Sequence, residues 1–307
     1  MENKRDTPVF PLREAHHLVR GLMTPNPIIY WVDFLFHVTL GWAAFVVVLS
    51  APLFSIWQFV AFIVATLAHY RSVIFIHELA HLKKGTFKIF RLVWNLISGI
   101  PFLVPSFTYS VHYDHHKPDI YGTSDDGEYI PFATKKPMLM VGYVLASFLL
   151  PFIFFVRYLL LTPASYLIPP LRRFCWERAS SLSINPTYKR PNGYIRNDKY
   201  WKIQEFATFV FSIVVITCVT FNILPFKTII LWYLIGTSIF ILNSLRTLAA
   251  HAYRNPGEQK MEFHEQYLDS INISGNSFIT ALWAPLGLQY HATHHLFMSM
   301  PYHNLGK

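Results

Sequence analysis

The chain has 307 residues, 53% of them hydrophobic and 17% aromatic, with only 14% charged and a mean hydropathy of +0.31. Soluble domains carry about 25% charged residues, so the composition excludes an ordinary soluble globular domain and points to a surface that partly faces lipid. The net charge of +9, in an apolar chain without a nucleic-acid motif, fits anionic headgroups and membrane orientation rather than nucleic acid.

Residues 1–27 are polar and carry Arg5, Arg13, His16, His17 and Arg20. They read as a cytoplasmic N-terminal segment with surface histidines. No short apolar core with a small-residue cleavage site is present, so no signal peptide is expected. Residues 28–307 read as a single membrane-embedded domain, because no Gly/Ser-rich linker divides them. Trp31–Ser50 and Leu53–Ile76 are each long enough to span a bilayer, which takes about 20 apolar residues. The connection around Ala51-Pro52 is uncharged and short, so a tight hairpin is expected. Its other flanks are basic, with Arg13 and Arg20 before and Lys83, Lys84, Lys88 and Arg91 after. By the positive-inside rule those flanks are cytoplasmic, and His77 and His81 emerge there.

Phe87–Phe107 is apolar but interrupted by Gly99, Pro101 and Pro105, which predicts an interfacial or re-entrant piece. The stretch from Lys117 to Glu128, with Asp125, Asp126 and Glu128, reads as a solvated acidic loop. Met138–Leu161 is long enough to span. A crossing there would strand the basic segment Arg172–Lys202 and the later histidines on the far side, so a re-entrant hairpin fits better, although length leaves a span open. Ile203–Leu224 and Thr228–Ala250 form a second long hairpin through Pro225-Phe226-Lys227 and return the chain to His251. A short apolar stretch, Phe278–Leu288, precedes a last histidine cluster. The expected fold is an all-α integral membrane protein: two long transmembrane hairpins, re-entrant or interfacial helices and a cytoplasmic histidine-rich cap. Cys175 and Cys218 lack partners at ligand spacing, which excludes a built-in iron–sulfur cluster and argues against a disulfide framework.

Three histidine clusters punctuate this pattern: His77-Glu-Leu-Ala-His81, His112-Tyr-Asp-His-His116 and His291-Ala-Thr-His-His295. Spacings of i, i+3 and i+4 put imidazoles on one side of a helix, and neutral imidazole suits iron, zinc, copper and nickel. His77, His81, His112, His115, His116, His291, His294 and His295 are too many for one tetrahedral zinc. They suit two ions with positions left open. His251, at the same membrane level, is the natural ninth ligand. His69 reads as a buried structural histidine, and His37, His264 and His303 have no matching context.

The first cluster also fits H-E-x-x-H, in which glutamate is the general base of a zinc metalloprotease. That reading leaves both His-x-x-His-His clusters without a role, so Glu78 is expected instead to orient a ligand imidazole. A metal transporter would place acidic or histidine pairs within the spans, whereas these clusters lie at span ends.

These three boxes, their order between hydrophobic hairpins, and Asn243-Ser-Leu-Arg-Thr-Leu-Ala-Ala-His251 resemble the membrane fatty acid desaturase family. That family lies within the larger group of histidine-box desaturases and hydroxylases, and the resemblance runs over about residues 30–300. It implies a non-haem di-iron centre on the cytoplasmic face, O2 as co-substrate, and desaturation of an unactivated acyl chain. Hydroxylation on the same scaffold is the alternative. Electrons would come from a separate ferredoxin or b-type cytochrome with its reductase. Two departures stand out: the first box is one residue shorter than in acyl-CoA members, and Thr247 occupies the place of their asparagine before the ninth histidine. Both lean the substrate toward an acyl-lipid. Arg172, Arg173, Arg178, Lys189 and Arg190 read as a solvated cytoplasmic loop, with docking of an acidic carrier or of headgroups as the functional alternative.

Overall fold

The computed structural model describes residues 11–83, 85–191, 199–255 and 259–307. Arg5 with the rest of 1–10, Lys84, and residues 192–198 of the basic segment lie outside the described residues.

A short helix, α1 (Leu12–Leu18), precedes the first hairpin, α2 (Pro27–Ser50) and α3 (Ile56–His81). Asn26 starts α2 by accepting from the Ile28 N–H at 2.9 Å, with Pro27 pre-set for the first turn. Ser55 caps α3 in the same way through the Gln58 N–H at 3.2 Å. Along α2 the buried residues Tyr30, Phe34, Val38, Gly41, Phe45 and Val48 recur every three or four positions, a single stripe that packs on α3. Small residues of α3, Ala61, Ala65 and Ala68, let the helices approach closely. Val32, Phe36, Val46 and Phe59 point outward and are exposed, as a lipid-facing side requires.

The second hairpin is α10 (Lys199–Thr220) and α11 (Lys227–Ala250). Lys227 Nζ donates to the Leu49 carbonyl, so the turns of both hairpins lie at one end of the bundle. His77, His81 and His251 are therefore at the other. Both expected pairs of long helices are present, each joined by a short connection, and α3 is the most buried of the long helices.

Between the hairpins the chain dips into the bundle twice. The first dip is α4 (Lys88–Trp94), a π-helical turn at Asn95–Gly99, and a return through a 3-10 turn, Ser106–Tyr109, to α5 (His112–His115). Backbone carbonyls that irregular structure leaves unpaired cannot find water at membrane depth. Here the Trp42 and Trp232 indoles donate to the Ile97 and Pro101 carbonyls at 3.1 and 2.9 Å. Trp42 lies about 22 Å along α2 from its start at 1.5 Å per residue, so this piece penetrates deeply and returns, as its Gly and Pro content predicts.

The second dip runs through α6 (Met138–Ala146), α7 (Leu150–Val156), a π-turn at Arg157–Leu161 and α8 (Thr162–Leu167). Leu150–Leu167 is long and apolar enough to cross a bilayer. Its contacts describe a different path. Ser147 Oγ meets Ser244 Oγ at 3.0 Å near the histidine end of α11, and Phe154 packs deeper on Phe240 at 5.5 Å between ring centroids. Arg157 then reaches Glu205, in the second turn of α10. The segment thus enters along α11 and returns to the start of α10, both at the histidine end. The chain continues through α9 (Pro169–Arg178) to α10.

The C-terminal region carries α12 (Phe263–Asp269), α13 (Ser277–Trp283) and α14 (His291–Leu296). Among the described residues the β features are isolated bridges, His251 with Ser270 and Asn272 with Tyr290. Backbone bonds from Ala252 N to Asp269 O at 2.7 Å and from Ile271 N to Ala250 O at 2.8 Å stitch this tail onto the end of α11. The stitching carries the third histidine box to His251.

Candidate metal centre

Each box reaches the site by a helical turn. The last turn of α3 presents His77 and His81, α5 and the residue after it present His112, His115 and His116, and α14 presents His291, His294 and His295. His251 follows α11 directly. The structure brings all nine together. His77, His81, His112 and His294 form one group and His115, His251, His291 and His295 another, with ligand atoms inside each group within 4.8 Å of one another. His116 lies between them, its ring 4.9 Å from His81 and 4.4 Å from His295.

The donor atoms fit metal ions. Nε2 atoms approach one another at 3.0 Å for His251 and His291, 3.1 Å for His81 and His294, 3.1 Å for His291 and His295, and 3.2 Å for His112 and His116. Two nitrogens about 2.1 Å from one ion and at right angles lie about 3.0 Å apart. His77 is buried with both ring nitrogens lacking a hydrogen-bond partner, an arrangement that is costly unless an ion takes one of them. Burial holds His112, His116, His251, His291 and His295 well below the usual imidazole range and His294 at about 3. These rings are neutral at physiological pH, which is the form that ligates.

The acidic stretch expected to be a solvated loop is instead built into the site. Asp126 is fully buried and its Oδ2 sits 2.8 Å from His115 Nδ1. The Gly122 and Glu128 N–H groups donate to Asp126 at 2.9 and 2.8 Å and hold it in place. Burial pulls the His115 imidazole down, but the Asp126 carboxylate outweighs it and leaves the ring above its usual value. Glu128 meets His112 Nδ1 at 2.8 Å and accepts from the Tyr109 hydroxyl at 2.8 Å, and burial pushes its carboxyl up to about 7. His251 Nδ1 lies 2.9 Å from the Tyr121 hydroxyl, which donates to Asp269 at 2.9 Å. With Nδ1–H engaged in this way, Nε2 is left as the donor toward an ion. Sequence reasoning missed Asp126, Glu128, Tyr121 and Asp269. The i, i+2 acidic pair in a glycine-flanked loop after the second box was a usable signal for the first two; Asp269 had none.

Asp126→Asn is expected to weaken metal retention by roughly 10–100-fold while leaving the helical content intact. Titrating bound metal against a chelator measures this, and unchanged retention would show that Asp126 does not support His115.

Glu78 departs from its expected role. It accepts from the Tyr30 hydroxyl and lies 3.4 Å from the Tyr302 N–H, while its carboxylate is 3.8 Å from His77 Nδ1, beyond hydrogen-bond distance. It is clamped among aromatic residues, which removes both the imidazole-orienting role and the protease general base. His69 packs against Trp42 and Phe102 at 4.7 and 4.9 Å, apart from both groups. Asn243 accepts from Arg246 at 2.9 Å and belongs to neither group. His16 and His17 are exposed as expected.

The basic segment is not simply solvated either. Arg172 pairs with Glu205 at 2.8 Å and Arg173 with Glu177 at 2.6 Å. Arg178 donates to the carbonyls of Pro186, Thr187 and Tyr188, and buried Arg190 to that of Phe107 at 2.8 Å. Arg172 and Arg190 thus tie residues 169–191 to the body of the protein, while Arg173 and Arg178 bond within the segment and are exposed.

The family model for fatty acid desaturases matches residues 55–307, a range that includes every box and His251. A ceramide hydroxylase of Caulobacter vibrioides (strain NA1000 / CB15N) is 37% identical over 296 residues, covering 96% of this chain and 84% of the relative. No solved structure matches the chain. Paired four-histidine groups at one end of an apolar helix bundle, a family match across the whole site and a relative similar along nearly the full length converge on one assignment: the chain belongs to the fatty acid desaturase family, as an oxidoreductase of its desaturase and hydroxylase group.

Proposed function

We propose that this protein hydroxylates a hydrocarbon chain of a ceramide-type membrane lipid at two iron ions held by the nine histidines. The observation that carries the metal chemistry is the convergence of two four-imidazole groups at one end of an apolar bundle. The similarity to a ceramide hydroxylase supports hydroxylation and the lipid class. The reaction balances as one C–H bond, O2, two electrons and two protons giving one C–OH and one water. Desaturation is the second reading, supported by the family match. It consumes the same oxygen, electrons and protons, removes two hydrogens from adjacent carbons and releases two waters.

No side chain is able to deprotonate or oxidise an unactivated alkyl C–H bond, and bound iron with O2 supplies that oxidising power. The residues of the chain do the rest. Nine imidazoles hold the ions; Asp126, Glu128 and the Tyr121–Asp269 pair fix ring orientation; burial of the site keeps water from competing with the substrate. Lys83, Lys88, Arg91, Arg13 and Arg20 flank the histidine end, which supports a cytoplasmic site under the positive-inside rule. Electrons then come from a separate ferredoxin or b-type cytochrome.

Lipid analysis of a host expressing the wild type beside His115→Ala tests the proposal. New hydroxyl groups on ceramides that vanish in the variant are expected. New double bonds would favour the second reading, and no change in any lipid would sink both.

A further inference from the structure

A second site lies away from the histidines, where the second dip returns to the bundle and α10 begins. A cavity of about 480 Å³ opens there, lined by Tyr166, Arg172, Arg173, Trp176, Trp201 and Lys202 among others. Its floor is aromatic and its cations are unevenly balanced. Arg157, 3% exposed, donates to Glu205 Oε1 at 2.5 Å, and Arg172 donates to Oε2 at 2.8 Å. Among the described residues, two guanidiniums thus share one fully buried carboxylate, leaving one positive charge uncancelled, and Lys202 adds a second at the mouth. Arg173 is balanced by Glu177.

Arg172 is held in a fixed attitude. Its guanidinium lies 4.3 Å from the Tyr166 ring centroid and 4.0 Å from that of Trp201, and it donates to Ser165 at 3.1 Å. Such stacking costs the ligand little further ordering. Trp and Tyr beside Arg and Lys, at the junction of an apolar dip with a spanning helix, is the composition found at headgroup depth. An open cavity with an apolar floor and excess positive charge suits a ligand with one anionic oxygen cluster and an apolar body.

We infer that this cavity binds the phosphodiester headgroup of an anionic phospholipid, with Lys202 and Arg172 facing the phosphate and Trp176 and Trp201 against its glycerol and upper acyl carbons. The site is separate from the histidine groups and its occupancy does not depend on which lipid is oxidised.

Native mass spectrometry of the metal-loaded protein with equal phosphatidylglycerol and phosphatidylcholine of matched chains tests the assignment. The wild type is expected to retain phosphatidylglycerol preferentially. Each cation near a membrane surface contributes roughly fivefold to such a preference, so Lys202→Glu is expected to reduce it by at least that factor. Lys202→Gln is expected to give a smaller loss in the same direction, with metal content and elution volume unchanged in both. Equal retention of the two lipids by the wild type, or an undiminished preference in both variants, would overturn the assignment. Displacement of the lipid by millimolar inorganic phosphate would overturn it too, because the cavity would then be a free-phosphate site.

Discussion

Replacing His251 by alanine is expected to lower bound metal from about two ions per chain to about one and to remove turnover. His251 Nε2 lies 3.0 Å from that of His291, which is itself 3.1 Å from His295 Nε2. Its removal leaves His115, His291 and His295 as the remaining members of that group. The other group, His77, His81, His112 and His294, has no member on α11 and should keep its ion. Loss of activity should exceed the roughly 10–100-fold typical when only a partner supporting a ligand is lost. Tyr121→Phe provides that comparison, because it removes the hydroxyl at His251 Nδ1 and leaves the ring in place. Metal analysis with a turnover assay on both variants separates the two effects. A His251→Ala protein with undiminished metal and product would refute the nine-histidine centre.

The second large effect is on stability. Glu205→Gln is expected to destabilise the protein by about 3–5 kcal/mol, the cost of breaking a buried ion pair. Arg157 and Glu205 are almost completely enclosed, and Arg172 is 20% exposed. A neutral amide leaves a buried guanidinium at Arg157 without a counter-charge, although the Ala179 carbonyl and the Thr162 hydroxyl still accept from it at 2.6 and 2.8 Å. Arg172 reaches solvent and relaxes more easily. The double variant Arg157→Met with Glu205→Leu is therefore expected to recover most of the loss, since an apolar pair of similar volume avoids the desolvation of both charges. Thermal unfolding in detergent reads both. A Glu205→Gln protein as stable as the wild type would show that the two arginines find other partners.

Much of the architecture was legible because it depends on local properties. Span length, the prolines of Phe87–Phe107 and the basic flanks are each contained in short stretches, and the hairpins and first dip follow from them. The second dip was legible only indirectly. Leu150–Leu167 has the length and hydropathy of a span, and only the need to keep the basic segment Arg172–Lys202 and the later histidines at one membrane level argued otherwise. The fold resolves it through Arg157, whose partner Glu205 stands near the start of α10. The solvated-loop expectations held for Asp125, Arg173, Arg178 and Lys189, which are exposed, and failed elsewhere for a related reason. Asp126, Glu128 and Arg190 look like solvent-facing charges in a polar segment, and only their distant partners, His115, His112 and the Phe107 carbonyl, account for their burial.

The sequence by itself determined that nine histidines stand at the ends of apolar helices, because i, i+3 and i+4 spacing and hydrophobic length are read along one strand of chain. It did not determine which imidazoles share an ion. The second box is divided, His112 going to one group and His115 to the other, and α14 is divided likewise between His294 and the pair His291 and His295. Positions three apart on a helix diverge by about 60° at 3.6 residues per turn, so one box faces two neighbours. Which neighbour each ring meets is decided by how α3, α5, α14 and the end of α11 pack together. The same packing brings Asp126 and Glu128 directly, and Asp269 through Tyr121, to the outer nitrogens, and that is what turns a row of histidines into two oriented sets of imidazoles.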